Sequence, residues 1–299
     1  MAISELSLMN STLALIGSVR ALTTTEDRKE VRTYNSIYEQ GRNEMFGLPH
    51  DWKFATTRAK LKKLYQLTVD TAPTATVWVA GATLTGESSG TTCKVVSVVS
   101  TTVFLITEPL DSDGDSADFT DGEIISDGTN SVNCAANYPV VAEKTPVSGF
   151  AHQYVYPTNY SHMIALVEST GDATEYGYRK ECYIDDADNE IDVLLTDETT
   201  VYIKYVRIRT DISTWPSWFA ALVYTRNAVI MCEPLKQKFQ KQNQLFMLYE
   251  EAEKKAIEAN GWEDANTSSN VNVDKGNTDV VNAALNEELD KKYIINRSS

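Results

Sequence analysis

The densest run of metal-binding side chains in the chain is DSDGDSADFTDGE, Asp111 to Glu123. Alternating carboxylates suit a hard cation such as calcium, which takes oxygen ligands. An EF-hand loop needs glycine at its sixth position and glutamate at its twelfth. Counted from Asp111, those positions hold Ser116 and Gly122, so the register fails. The run reads as a solvated acidic turn, with weak divalent-ion binding as the alternative. The histidines are His50, His152 and His162, and no two stand at the i,i+4 spacing of a helical zinc site. Cys93, Cys134, Cys182 and Cys232 form no C-x-x-C pair, so they read as reduced thiols rather than zinc ligands. Whether Cys93 and Cys134 lie near each other stays open. There is no G-x-S-x-G and no G-x-x-x-x-G-K-[ST], hence no nucleophile elbow and no P-loop. Carboxylates are plentiful, but a glycosidase pair must face across a cleft, and the sequence singles out none. The expectation is a protein that is no enzyme and uses no cofactor or metal.

Another stretch, DWKFATTRAKL from Asp51 to Leu61, gathers Trp52, Phe54, Arg58 and Leu61 without a nucleophile, a base or a ligand set. Its role must come from packing, which turns attention to the elements around it. The chain has 299 residues, 42% of them hydrophobic, enough for one large core or a core plus a smaller module. The net charge of −15 discourages tight groove binding of nucleic acid, because an acidic surface repels phosphate. It is compatible with a lumen through which DNA slides without sticking. The first residues show no basic n-region, so no signal peptide is expected. No run of about 18 apolar residues predicts a transmembrane helix, so no membrane partner is expected.

Leu6, Met9, Leu13 and Ile16 recur at helical spacing, with Gly17 as a natural stop. Thr23, Thr24 and Thr25 offer N-caps for a second helix, with Glu26 and Asp27 in its first turn. Val31, Tyr34, Tyr38 and Met45 form its apolar stripe, and Gly47 ends it. Trp52, Phe54 and Thr56 then alternate like a strand, while Leu61, Leu64 and Leu67 repeat every three, more like a helical turn. From Asp70 to Val147 the chain turns rich in Thr, Ser, Val, Gly and Asp, with eleven acids, two bases and frequent turns. Its own composition and charge predict an inserted small β-domain. Strands follow up to Asp211, with a hairpin turn at Asp185 to Asn189, and VYIKYVRIR alternates along both faces. Ser213 or Thr214 can cap a third helix with Pro216 in its first turn. That helix is apolar all round and should be buried, with Pro234 interrupting it. A fourth, amphipathic helix is predicted from Leu235 to about Asn260, stopping at Gly261, and a polar linker and a short terminal helix follow.

The order of these features resembles the adaptor, or tail tubular protein A, family of short-tailed bacteriophages. STLALIGSVRAL is similar to its first-helix pattern, and DWKFATTRAKL to its W-x-F-A-x-x-R-A-x-L element. FAHQYVYPTN resembles its aromatic strand ending in Y-P, through Tyr156 and Pro157. VYIKYVRIRTDISTWPSWFAAL resembles its strand, T-D and proline-started helix, through Trp215, Pro216 and Phe219. AVIMCEPL resembles its A-x-x-x-A-x-P-L helix end, with Pro234 kept and Met231 and Cys232 as departures.

The resemblance implies an α+β fold in which two N-terminal and two C-terminal helices form a bundle packed with a small antiparallel sheet. Residues 1–69 and 148–262 would be the adaptor core. Residues 70–147 would be an inserted β-barrel or sandwich-like domain, and 263–299 a linker and docking arm. It further implies a ring of twelve copies in the virion tail, assembled in the host cytoplasm. The ring would contact a portal protein and a tubular-protein-B-like nozzle, with tail fibres as further candidate neighbours, and DNA would pass through without specific binding. Trp52, Phe54, Arg58, Leu61, Tyr156, Pro157, Trp215, Pro216, Phe219 and Pro234 would be its framework. Tyr293, Ile294, Ile295 and Arg297 would hook the arm onto the portal or a neighbour. The rival reading is a tail surface module whose β-domain recognises host sugars.

Overall fold

The computed structural model describes residues 3–74, 76–147, 149–168, 177–236 and 239–268. The first helix, α1 (Glu5–Ile16), starts at a capping box in which Ser4 and Ser7 exchange side-chain and backbone hydrogen bonds. It ends where Gly17 adopts φ 74°, a left-handed conformation that glycine reaches without a Cβ clash. The second, α2 (Lys29–Phe46), begins later than the threonines predict, and its N-cap Arg28 makes no side-chain cap. Glu26 instead folds back onto the backbone N–H groups of Leu22 and Thr23, fixing the connecting loop rather than a helix end.

Trp52 to Ala55 is not strand; only Thr56 of the alternating trio is. Lys53–Ala55 is one turn of 3-10 helix, and the extended chain starts after it with β1 (Thr56–Lys60) and β2 (Lys62–Thr68). Nor are Leu61, Leu64 and Leu67 helical. Residues three apart on extended chain point to opposite faces, and here each leucine enters a different hydrophobic cluster. An extended segment buried on both sides loses the alternation that would mark it as a strand.

Next come β3 (Thr83–Gly86), β4 (Thr92–Val98), β5 (Val103–Thr107), β6 (Ile124–Ser126), β7 (Ser131–Asn133) and β8 (Val140–Glu143). They are followed by β9 (His152–Val155), β10 (Tyr160–Val167), β11 (Tyr178–Ile184), β12 (Glu190–Thr196) and β13 (Tyr202–Arg207). Every pairing is antiparallel. One sheet has three strands in the order β1-β13-β10; the other has ten, β11-β12-β9-β2-β5-β4-β3-β6-β7 with β8 also on β2. The predicted turn closes the β11–β12 hairpin, with Asp188 at φ 61°.

The last two helices are α3 (Ser217–Lys236) and α4 (Phe239–Ser268). Pro234 does not interrupt α3. It lies inside the helix, exposed, within its last turn; its cost is a missing N–H bond to the turn before it, and the helix continues for two residues beyond it. Gly261 likewise does not stop α4, which runs on to Ser268.

The molecule is thus mixed α+β, with four helices among the described residues and large antiparallel sheets. The helices share one cluster with the inner face of the small sheet, through Val206, Ile164 and Ile208. A second cluster, around Trp78, Phe104 and Ile125, fills the strands of 67–134. Strand β2 joins the two parts, pairing with β5 and β8 along Leu64–Thr68 and with β9 at Lys62 and Lys63. No helix among the described residues is long and apolar enough to cross a membrane.

Candidate functional site

Trp52 is fully buried, and its indole Nε1–H donates to the Met45 carbonyl at 2.8 Å. That bond satisfies both an indole donor and one of the orphan carbonyls at the end of α2. Phe219, also fully buried, sits at the centre of the ring cluster. Its centroid lies 4.7 Å from Phe46, 4.8 Å from Phe54, 5.3 Å from Trp215 and 5.5 Å from Trp52. Trp218 closes over Trp52 and Phe54 from the preceding position of α3. Tilted and edge-to-face pairs of this kind add about 0.5–1.5 kcal/mol each beyond the area they bury. The proline start places the rings: the Pro216 carbonyl accepts the N–H groups of Phe219 and Ala220, while Trp215 Nε1–H donates to Arg209. Asn260 of α4 locks the other side, accepting from Lys53 N–H at 2.8 Å and donating to the Asp51 carbonyl at 3.1 Å.

Leu61, Tyr156 and Pro157 belong to a separate place, below the small sheet. Leu61 is buried with Tyr154, Leu194 and Ile203, and Tyr156 stacks on Tyr160 at 4.3 Å. The Tyr156 hydroxyl is buried with no hydrogen-bond partner, and burial pushes its pKa up. Arg58 is exposed on β1, opposite Lys204, so it is no buried partner of a carboxylate. Pro234 stands apart at the far end of α3, its carbonyl 3.4 Å from Lys29 Nζ. Tyr293, Ile294, Ile295 and Arg297 lie outside the described residues.

Three other polar residues organise the strands; the sequence places Glu123 in an acidic run and Asp185 in a turn but does not foretell their burial, and it does not mark Glu143 at all. Glu123, the last acid of the 111–123 run, is buried and accepts from Ser88 N–H, Ser89 N–H, the Ser89 hydroxyl and Thr120 N–H. It pins the GESSG loop rather than facing solvent, whereas Asp111 caps its own turn through Asp113 and Asp115 N–H. Asp185 is buried as well, and the Ser97 hydroxyl donates to it across from β4. Burial works to raise its pKa, but the bonds from Ser97, Asn189 and Ala187 prevail and hold it below the usual aspartate value. A third group joins β2, β8 and β9: Glu143 meets His152 at 2.6 Å and Lys63 at 3.4 Å.

Among the described residues, no three His, Cys, Asp or Glu side chains are placed to hold a metal ion. The four cysteines are free thiols; Cys93 and Cys134 share the β cluster, and burial pushes Cys93 up to about 12 and Cys134 to about 11. What the arrangement offers is rigid packing between distant segments: the 51–56 turn, the start of α3 and the middle of α4 form one unit. A scan against protein-family models gives no match to this chain, and a comparison with curated proteins gives none either.

Proposed function

We propose that this chain is a structural adaptor of a short-tailed phage virion. In this reading it forms a ring of twelve copies between portal and tail nozzle, through which DNA passes. The observation that supports it best is the meeting of motif residues. Trp52 and Phe54 from W-x-F-A, and Trp215 and Phe219 from the proline-started helix, are more than 150 positions apart in sequence yet pack ring on ring. The four helices and the small sheet would be the adaptor core, residues 70–147 its insertion and 263–299 its arm. Exposed Phe246, Met247 and Trp262 on α4 supply apolar surface of the kind that lateral interfaces use. A heterologous contact of this sort closes into a ring.

The test is to mix the purified chain with the portal protein of the same phage and measure the mass of the products. Ring-sized complexes on the portal are expected. A portal that never co-sediments with the chain, at any salt concentration, would overturn the reading.

A further inference from the structure

Where the chain bends from β1 into β2, it opens a cavity of about 230 Å³ against Lys94, Thr107 and the Tyr156–Pro157 corner. Lys60 and Lys62, two apart on extended chain, both line it, and Lys94 completes a set of three lysines, of which Lys60 and Lys94 are exposed at its mouth. No carboxylate lines it, in a chain with 42 acidic against 27 basic residues. None of the three lysines makes an ion pair among the described residues. Lys62 is half-buried. Its pKa is lowered first by burial and then by the charge of Lys94, with Glu108 acting weakly the other way from beyond ion-pair distance. Three like charges gathered on one cavity cost free energy unless an anion joins them.

The lining also indicates which anion. A single carboxylate carries one charge and leaves two ammonium groups unmatched. A phosphate group carries nearly two at neutral pH and offers several acceptor oxygens. Lysine binds phosphate well as a compact point charge. Thr107 Oγ1 already accepts the Lys94 N–H at 3.0 Å, so its own proton is available to donate.

We propose that this cavity is a phosphate-binding site, in which Lys60, Lys62 and Lys94 supply the charge and Thr107 a hydroxyl donor. The phosphate is either a free anion, with nearly two charges on one group, or adjacent phosphodiesters of nucleic acid, which bring one charge each. The site stands independently of the adaptor reading, because it draws on local charge and shape alone. It also qualifies the expectation drawn from net charge: an acidic chain can carry one cationic pocket.

The experiment uses the full chain and two probes: inorganic phosphate and pyrophosphate by calorimetry, and a short double-stranded DNA by fluorescence anisotropy at low salt. Wild type should bind at least one probe. Lys62→Gln with Lys94→Gln should weaken that binding by about tenfold or more, while Lys255→Gln, on the far helix, leaves it unchanged. Lys62→Met keeps the aliphatic stem and should also weaken it, which guards against a folding defect in the double variant. Binding of the small anions alone identifies a free-anion site. DNA binding that falls with the same substitutions identifies a phosphodiester site. Wild type that binds neither probe, or a folded double variant that binds as wild type does, would overturn the proposal. So would preferential binding of poly-aspartate over every phosphate probe.

Discussion

The helical half and the ten-stranded sheet bury comparable kinds of residue but hold them differently. The helical half is fastened by rings: Phe219 touches five other aromatics, and two of the polar contacts there, Trp52 to Met45 and Trp215 to Arg209, run from indole to carbonyl. The strand half is built from short strands and many turns. There, buried or turn-bound carboxylates collect backbone N–H groups: Glu123 under the GESSG loop, Asp127 in the β6–β7 turn, and Asp185 docking the β11–β12 hairpin onto β4. Long helices satisfy their own backbone and can devote the interface to apolar packing. Tight turns leave backbone donors that only a side-chain acceptor can reach. The ring-built half should therefore fail when volume is removed, and the turn-built half when an acceptor is removed.

The largest effect is expected at Trp52. Trp52→Ala removes a fully buried indole and its bond to Met45, and should cost about 3–5 kcal/mol. Chemical denaturation followed by circular dichroism measures it. A loss below about 1 kcal/mol would mean that the hub is not what secures the helices. Glu123→Ala comes next. It leaves the N–H groups of Ser88, Ser89 and Thr120 without their acceptor, at about 2–3 kcal/mol. The environment of Trp78, in the cluster that the flanking Phe119 and Ile125 join, should change with it, while the rings around Phe219 keep theirs. An equal disturbance of both would erase the contrast between the halves.

How far the sequence foretold this follows from the same contrast. α1 was legible because Met9, Leu13 and Ile16 are buried on one face, with Leu6 half-buried, and Gly17 stops it, although the buried Leu8 lies outside the predicted stripe. The β11–β12 turn was legible because its residues state their own conformation. Leu61, Leu64 and Leu67 were misleading because three clusters, not one, receive them. Asn260 could not be foreseen as a lock on Lys53, since its partner is 207 positions away. Nor could the burial of Glu123, which in sequence is one acid among six in a polar run. The lysines of the cavity gave no signal either: Lys62 comes near Lys94 only because β2, β5 and β4 lie side by side, and Lys60 joins from the end of β1.

The smallest expected effect, and the one that sharpens the contrast most, is acid sensitivity. Asp127 is held below the usual aspartate value by the backbone N–H of Asn130 first, and Asp185 by bonds that outweigh its burial. A depressed folded pKa means that the unfolded chain binds the proton more readily. The stabilisation is then fully present above the unfolded value near 3.9 and is lost as pH falls through the lower folded one. The helical half has an acid-sensitive contact too, since Glu44 is held down against its burial by Arg226, at 2.7 Å. That contact is an ion pair, partly exposed, and salt weakens it. The bonds at Asp185 come from neutral groups in a buried site and should resist salt. Asp185→Asn, compared with wild type from neutral pH down to about pH 3 at low and high salt, separates the two. The substitution should flatten the acid loss by the same amount at both salt concentrations. If high salt alone abolishes the difference, Asp185 acts through charge pairing, and the strand half is held less by its acceptors than its geometry implies.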